Sequence, residues 1–256
     1  MAAPRVVSLD YCADQYVLKL ADPAQIAAIS RGADKDYSYL RGASTPYKKI
    51  RPTLEETLPL EPDIIFRQWG GGANAENAFA RFGARVVSLG YPENFDGVKA
   101  NIRLVADALE HSARGETLIA DLEAKLAAIP ELENAPRALY VTPGGVTAGA
   151  HTMIDAIFSA GGVRNITAEE GKAYWPPLPA EALLTAPPEL IVTGFFNARD
   201  VEINYWSAAR HPTIEKQFRE TKTVHLSADL VSCAGWHSAE AAEMIAAAVR
   251  AERNAH

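Results

Sequence analysis

The sequence predicts an α/β fold with two Rossmann-like lobes joined by a single long α-helix and a ligand cleft between the lobes. Three observations support this fold class. The chain opens with a strand–helix–strand pattern, a stretch near residue 60 is echoed in the second half, and a long helical pattern separates the two. A strand–helix–strand opening implies a parallel sheet.

The opening pattern is short, and a proline separates its helix from its second strand. Val6 to Leu9 is predicted as a buried strand, and Ala13 to Leu20 has apolar residues at helical spacing. Pro23 ends that helix, and Ile26 to Ile29 forms the second predicted strand. The carboxyl ends of such parallel strands are where open α/β sheets bind ligands.

The echoed stretch indicates a duplicated unit. TLEETLPLEPDIIF, beginning at Thr53, resembles PAEALLTAPPELIVTG, beginning at Pro179. Each reads as a short helix, a proline, a buried strand and a loop. Two copies so far apart do not make a solenoid, so we expect two lobes of one kind.

The region between the two copies is predicted to be helical from Asn94 to about Ile129, with Pro130 and Pro136 ending the pattern. We therefore expect an N-terminal lobe over residues 1–93, a connecting helical strut over 94–130 and a C-terminal lobe over 131–256. A helical connection would be stiff, which argues against wide hinge closure.

Composition excludes several classes. The chain has 256 residues, 48% of them hydrophobic and 22% charged, with a net charge of −7, so nucleic acid is not an expected partner. No apolar run approaches the roughly 20 residues that span a bilayer. The predicted first strand begins at once, so either the protein is cytosolic or a leader peptide has been removed.

The two cysteines, Cys12 and Cys233, are too few for a disulfide scaffold and wrongly spaced for a structural zinc site. Two unpaired thiols are expected, with a disulfide or direct metal ligation as alternatives.

Catalytic signals are weak. There is no Gly-x-Ser-x-Gly elbow, no dinucleotide fingerprint after the first strand, and no closely spaced histidine pair among the six histidines. The pattern favours binding over catalysis.

A segment rich in basic and aromatic residues supplies positive evidence for ligand binding. Residues 31–51 contain six basic residues against two acidic ones, together with Tyr37, Tyr39 and Tyr47. The segment is either a solvated loop or a basic wall for an anionic ligand.

All four tryptophans fall in predicted loops or helix starts, as expected for a cleft that holds a large, flat or greasy ligand. The candidate ligand-binding residues are Trp69, Trp175, Trp236, Tyr37, Tyr39, Arg41, Arg67 and Phe195.

Over essentially its whole length the chain resembles class III periplasmic substrate-binding proteins of ABC importers, which bind ferric siderophores, cobalamin or haem. The resemblance lies in RVVSLDYCADQYVLKLADPAQIAAIS, LEETLPLEPDIIF and YWPPLPAEALLTAPPELIVTG, and less tightly in LSADLVSCAGWHSAEAAEMI. It implies two α/β lobes joined by one long helix, a periplasmic location after leader removal, and a monomer that delivers its ligand to an inner-membrane permease and its ATPase.

The resemblance also implies site roles. The spacing of Trp69 to Glu76 and of Trp175 to Glu181 is similar to that in the cobalamin-binding branch of the family, whose glutamates dock on the permease. The basic segment departs from that branch and favours a ferric siderophore, with cobalamin or haem as alternatives and no intrinsic cofactor. Tyr37, Tyr39, Tyr47 or His237 would be the haem ligand. A cytosolic two-lobed α/β enzyme is the alternative from another class.

Overall fold

A computed structural model describes residues 3–132, 134–178, 183, 186–196 and 212–253. The chain forms two compact units. Unit 1 comprises Met1–Tyr91 and Asp96–Asp121, and unit 2 comprises Pro92–Phe95 and Leu122–His256.

Unit 1 is a five-stranded parallel sheet in the order β3-β2-β1-β4-β5. Its elements, in chain order, are β1 (Val6–Ser8), α1 (Tyr11–Leu20), β2 (Ile26–Ser30), a 3-10 turn (Arg41–Ser44), β3 (Lys49–Ile50), α2 (Leu54–Thr57), a 3-10 turn (Leu58–Leu60), β4 (Ile64–Arg67), α3 (Ala75–Ala80), β5 (Arg85–Ser88), α4 (Phe95–Ala108) and α5 (Ser112–Ala128), of which α5 continues into unit 2. The parallel α/β architecture predicted from the sequence is confirmed.

The central strands are apolar on both faces because helices cover both sides of the sheet. On one face, Val7, Leu9 and Ile65 pack against Ala75 and Phe79 of the α3 region. Thr53 accepts a hydrogen bond from the Glu56 amide as the N-cap of α2, while the Glu56 carboxylate accepts from the Arg51 amide at 2.7 Å.

The segment predicted as a helical strut over 94–130 is helical but is not one continuous helix, because it contains two helices, α4 and α5. Glu110 takes a left-handed conformation with φ 64°. The His111 amide donates to the carbonyl of Ala106 at 2.8 Å, which is the pattern of a Schellman stop. The Ser112 hydroxyl then donates to the Asp107 carboxylate at 2.6 Å, so the second helix begins after a true break.

Unit 2 holds a four-stranded parallel sheet in the order β7-β6-β8-β9. Its elements are β6 (Arg137–Val141), α6 (Met153–Ala160), β7 (Arg164–Asn165), α7 (Ile166–Glu169), β8 (Leu190–Gly194), α8 (Pro212–Glu220), β9 (Lys222–Leu226), α9 (Ala228–Val231) and α10 (Ser238–Arg253). Leu139, Val141 and Ile191 form a core cluster on one face of this sheet with Ile166 and Leu183.

The expectation of two unpaired thiols is also wrong. Cys12 and Cys233 are both disulfide-bonded, and neither is a free thiol. Within the described residues, no helix has the length and apolarity that crossing a membrane requires.

Candidate functional site

In unit 1 the strand order reverses between β1 and β4. Ligands of open α/β sheets bind outside the carboxyl ends of the strands at such a reversal. Two segments lie there: the residues that lead from β1 into α1, and the Gln68 to Gly72 loop after β4. They define the candidate site of this unit.

Asp10 joins these two segments. Its carboxylate is buried and caps α1, with Oδ1 accepting from the Ala13 amide at 2.9 Å. Its Oδ2 accepts from the amides of Gln68, Trp69 and Gly70 at 2.7, 3.0 and 2.8 Å. Hydrogen bonds to a charged acceptor are stronger than neutral ones, so Asp10 fixes the backbone that carries Trp69.

Three aromatic rings gather beside this anchor. The ring centroids of Tyr11 and Tyr37 are 4.6 Å apart, and those of Tyr11 and Trp69 are 5.6 Å apart in an edge-on arrangement. Burial raises the pKa of the Tyr11 hydroxyl, and the nearby Tyr37 and Asp10 raise it further. Trp69 keeps 45% of its surface exposed, so the cluster offers one large aromatic face to solvent.

Gln15 holds the second aromatic segment against α1. Its side chain is buried, accepts from the Leu40 amide at 2.7 Å and donates to the Ser38 hydroxyl at 2.8 Å. It also donates to the Tyr11 carbonyl at 2.8 Å. These bonds hold the segment that carries Tyr37, Tyr39 and Arg41 against α1, beside Tyr11.

Arg67 is the last residue of β4 and is only 9% exposed. Its Nε has no hydrogen-bond partner within the described part of the chain. A buried guanidinium nitrogen without a hydrogen-bond partner is costly, and a guanidinium matches the planar oxygens of a carboxylate or a similar anion.

The basic character of residues 31–51 is partly neutralised inside unit 1. Arg31 and Arg51 both pair with Glu56 at 3.4 Å, and Lys49 lies 3.8 Å from Asp34. Arg41 uses one guanidinium nitrogen to contact the Ser38 carbonyl at 3.3 Å. Lys35 and Lys48 are exposed. The segment is therefore less of a basic wall than its composition indicates.

In unit 2 the strand order reverses between β6 and β8. The Trp175 ring lies edge-on to Tyr140 of β6, with centroids 6.3 Å apart, and 51% of Trp175 is exposed. Backbone hydrogen bonds between residues 145–150 and 172–178 hold its segment in place. Phe195 follows β8 directly and is half-buried, with a left-handed φ of 68°.

Trp236 and His237 are placed differently from the other predicted site residues. Trp236 is only 8% exposed and packs edge-on against the His237 ring. His237 Nε2 lies 3.1 Å from the Cys233 carbonyl, so this nitrogen carries the proton and donates. Burial lowers the pKa of His237 to about 4, so the ring is neutral at pH 7.

A cavity of about 520 Å³ lies in unit 2 beside Glu93, His151 and Asp155. His151 Nδ1 is 3.2 Å from the Glu93 carboxylate. None of the predicted tryptophans lines this cavity. No group of three or more His, Cys, Asp or Glu side chains within the described residues is arranged to hold a metal ion.

Of the two predicted docking residues, the structure describes only Glu76. Glu76 is exposed in the first turn of α3 and accepts a hydrogen bond from the Ser88 hydroxyl. Glu181 and Trp206 lie outside the described residues.

The sequence reasoning missed Asp10, Tyr11, Gln15 and Tyr140 as contributors to the two edges. Asp10 carried a signal, because an aspartate between a buried strand and a helix is a preferred N-cap. Tyr11 follows it at the same strand end. Gln15 and Tyr140 carried none, since a helical glutamine and a strand tyrosine look alike whether or not they organise a site.

The family model described as "Periplasmic binding protein" matches residues 6–228. A cobalamin-binding protein from Halobacterium salinarum is 25% identical over 197 residues, which cover 74% of this chain and 53% of that protein. The chain thus spans about half the length of the curated relatives it matches.

Solved structures share the fold. The periplasmic heme-binding protein RhuT from Roseiflexus sp. RS-1, in apo form, superposes with a TM-score of 0.75 at 21% identity, covering 96% of this chain and 99% of that one. The heme-binding protein HutB of Vibrio cholerae gives 0.77 at 17% identity, covering 97% and 99%. The vitamin B12-binding protein BtuF of Vibrio cholerae gives 0.68 at 19% identity, covering 98% of both.

Proposed function

Because the chain belongs to the periplasmic binding protein family, we propose that it is the periplasmic substrate-binding component of an ABC importer and captures an anionic metal chelate, a ferric siderophore. The observation that carries the ligand class is in unit 1. The half-exposed Trp69 ring lies edge-on to Tyr11, which in turn packs against Tyr37. Arg67, two residues before Trp69 in the chain, is buried, and its Nε has no hydrogen-bond partner among the described residues.

The chemistry of these groups suits such a ligand. Aromatic side chains supply large contact areas at little cost in side-chain entropy. Arg67 would pair with a carboxylate, catecholate or hydroxamate oxygen of the chelate, and the exposed Lys35 and Lys48 would add long-range attraction. The iron ion is cargo held by the chelator in this proposal, so a cluster of protein ligands is not required.

Haem and cobalamin are the alternatives, because solved structures of this fold include heme-binding and vitamin B12-binding proteins. Haem also presents carboxylates, through its two propionates, so Arg67 would serve it equally. His237 is poorly placed as a haem ligand, since it is buried and its Nε2 faces a carbonyl. Among the tyrosines, Tyr37 lies in the aromatic cluster.

The proposed partners are an inner-membrane permease and its ATPase, reached through Glu76 and Glu181, and the protein is proposed to act as a monomer. No nucleic-acid role is proposed for a chain of net charge −7. The enzyme alternative gains no support from the described side-chain geometry.

Tryptophan fluorescence quenching tests the proposal. The panel comprises an anionic ferric tris-catecholate, a cationic ferric tris-hydroxamate, haemin, cobalamin and cobinamide. We expect saturable quenching by the tris-catecholate and weaker quenching by the cation. Preferential quenching by haemin, or by the two corrinoids, would reassign the ligand, and no quenching by any member would refute the ligand class.

Two leucine variants locate the site. Trp69→Leu should weaken binding by roughly 5- to 150-fold, because losing one aromatic anchor costs about 1–3 kcal/mol. Phe82→Leu is the matched control: Phe82 is 62% exposed but lies at the opposite, amino-terminal edge, just before β5. It should bind like the wild type.

A further inference from the structure

Tyr140 lies at the strand reversal of unit 2. It is the penultimate residue of β6, pairs in register with Val192 of β8, and is fully buried. Its strand neighbours Leu139 and Val141 belong to the core cluster on the other face, because successive side chains alternate across a sheet. The tyrosine therefore lies on the face opposite that cluster.

The hydroxyl of Tyr140 points along β8 towards its carboxyl end. A Cβ added to Gly194, the last residue of β8, would overlap the Tyr140 oxygen. Only a glycine at 194 leaves room for this hydroxyl. The next residue is Phe195, so the oxygen lies at the edge where sheets of this type bind ligands.

This hydroxyl has no hydrogen-bond partner among the described residues. An unsatisfied buried polar group costs about 1–3 kcal/mol, and a phenylalanine would fill the same space without that cost. Burial also raises the pKa of the phenol, which keeps it protonated and able to donate. A buried donor without an acceptor, at the edge where such sheets bind ligands, is placed to donate to an acceptor on a bound molecule.

A half-exposed aromatic ring packs beside this tyrosine. The Trp175 ring lies edge-on to Tyr140, and the preceding residue, Tyr174, has a left-handed φ of 59°. Such backbone strain concentrates at ligand sites.

We propose that the Tyr140 hydroxyl donates a hydrogen bond to an oxygen acceptor of the bound ligand. This rests on the proposed function and narrows it, because the ligand must carry a carboxylate, catecholate or hydroxamate oxygen that reaches unit 2. Gly194 is the residue that makes room for the contact.

Tyr140→Phe is the decisive variant, since it removes only the oxygen. We expect the apo variant to melt at the same temperature as the wild type or higher, because an unsatisfied group is lost. Its affinity for the ferric tris-catecholate or haemin, by fluorescence quenching, should fall about 2- to 10-fold, the worth of one hydrogen bond.

Tyr16→Phe is the matched control. Tyr16 is also buried, but its hydroxyl bonds to the Asn101 side chain. This variant should melt lower than the wild type and bind both probes normally.

The outcomes separate the two proposals. If Tyr140→Phe binds both probes as the wild type does, or if its apo form melts clearly lower, the role of Tyr140 is refuted and the proposed function stands. If the wild type itself quenches with no member of the panel, the proposed function fails and this inference fails with it.

Discussion

The carboxylate of Asp10 connects the start of α1 to the loop that carries Trp69, through four backbone amides. The aromatic rings supply contact area, but their positions depend on this buried acceptor. A small polar residue therefore sets the geometry that larger residues use.

Replacing Asp10 by Asn should lower the free energy of unfolding by about 2–4 kcal/mol, because a charged acceptor of several amides is lost. Asparagine has one acceptor oxygen, so either the cap or the loop contacts must break. Urea unfolding measures the change, and Trp69 emission should shift to longer wavelength. Asp121→Asn, at an exposed position of α5, should change stability by less than about 0.5 kcal/mol.

Asp14 is expected to give the stability of the protein an unusual pH dependence. It is fully buried on α1, and burial raises its pKa to about 7, although hydrogen bonds from Ser30 and Ser8 oppose the shift. A raised carboxyl pKa means that the folded state holds the proton more tightly than the unfolded state. Asp14 therefore adds its full contribution to the free energy of unfolding below about pH 4, and this contribution is lost as the pH rises through 7.

The Asp14→Asn variant lacks this titration. Its stability relative to the wild type should therefore rise between pH 4 and pH 8, by up to about 4 kcal/mol for a shift of roughly three units. Urea unfolding at several pH values tests this. A constant difference across the range would show that Asp14 is ionised in the folded protein.

At the scale of elements, the sequence predicted the long, periodic pieces and missed the short ones. The β1–α1–β2 opening and the strands at Ile64 and Leu190 have strong apolar patterns, and they are present. The strands β3 and β7 have two residues each, too few to show any period. The stop between α4 and α5 has a weak sequence signal, because Glu110, rather than glycine, takes the left-handed conformation.

For the candidate site, too, the sequence signals one property of a residue and leaves another open. Trp69 and Trp175 were predicted from their positions at strand ends and in loops, and both are half-exposed. Trp236 has the same sequence signal and is buried. Exposure depends on what packs over a residue from distant parts of the chain, which local sequence does not encode.

Gln15 provides a test of how α1 organises the segment that follows β2. In Gln15→Leu the Leu40 amide and the Ser38 hydroxyl lose their partner, so stability should fall by about 2 kcal/mol. Hydrogen exchange at residues 37–41 should accelerate while β1 and β4 stay protected. Gln15→Glu keeps the acceptor for Leu40 and should show a smaller effect. Unchanged exchange in the leucine variant would show that the segment is held by other contacts.

At the scale of the whole molecule, the echo between Thr53–Gly72 and Pro179–Phe196 corresponds to two parallel sheets, each with a strand reversal at its centre. The functional residues do not repeat with the fold. Trp69 follows β4, whereas Trp175 precedes β8. The edges also differ in chemistry: a buried arginine occupies one and a buried tyrosine the other.

The proposed docking residues are distinct from the proposed ligand-binding residues. Glu76 is exposed on α3, and Glu181 lies outside the described residues. If both dock on basic residues of a permease, Glu76→Lys together with Glu181→Lys should abolish stimulation of the partner ATPase, because like charges at an interface repel. Ligand quenching should stay within about twofold of the wild type, because neither glutamate is among the proposed ligand-binding residues. Reconstituted vesicles with the cognate permease and ATPase provide the measurement.

The control is Glu110→Lys with Glu215→Lys, which makes the same change in net charge at two exposed positions and should leave stimulation intact. Loss of ligand binding in the Glu76 and Glu181 variant, or equal loss of stimulation in the control, would contradict the docking role.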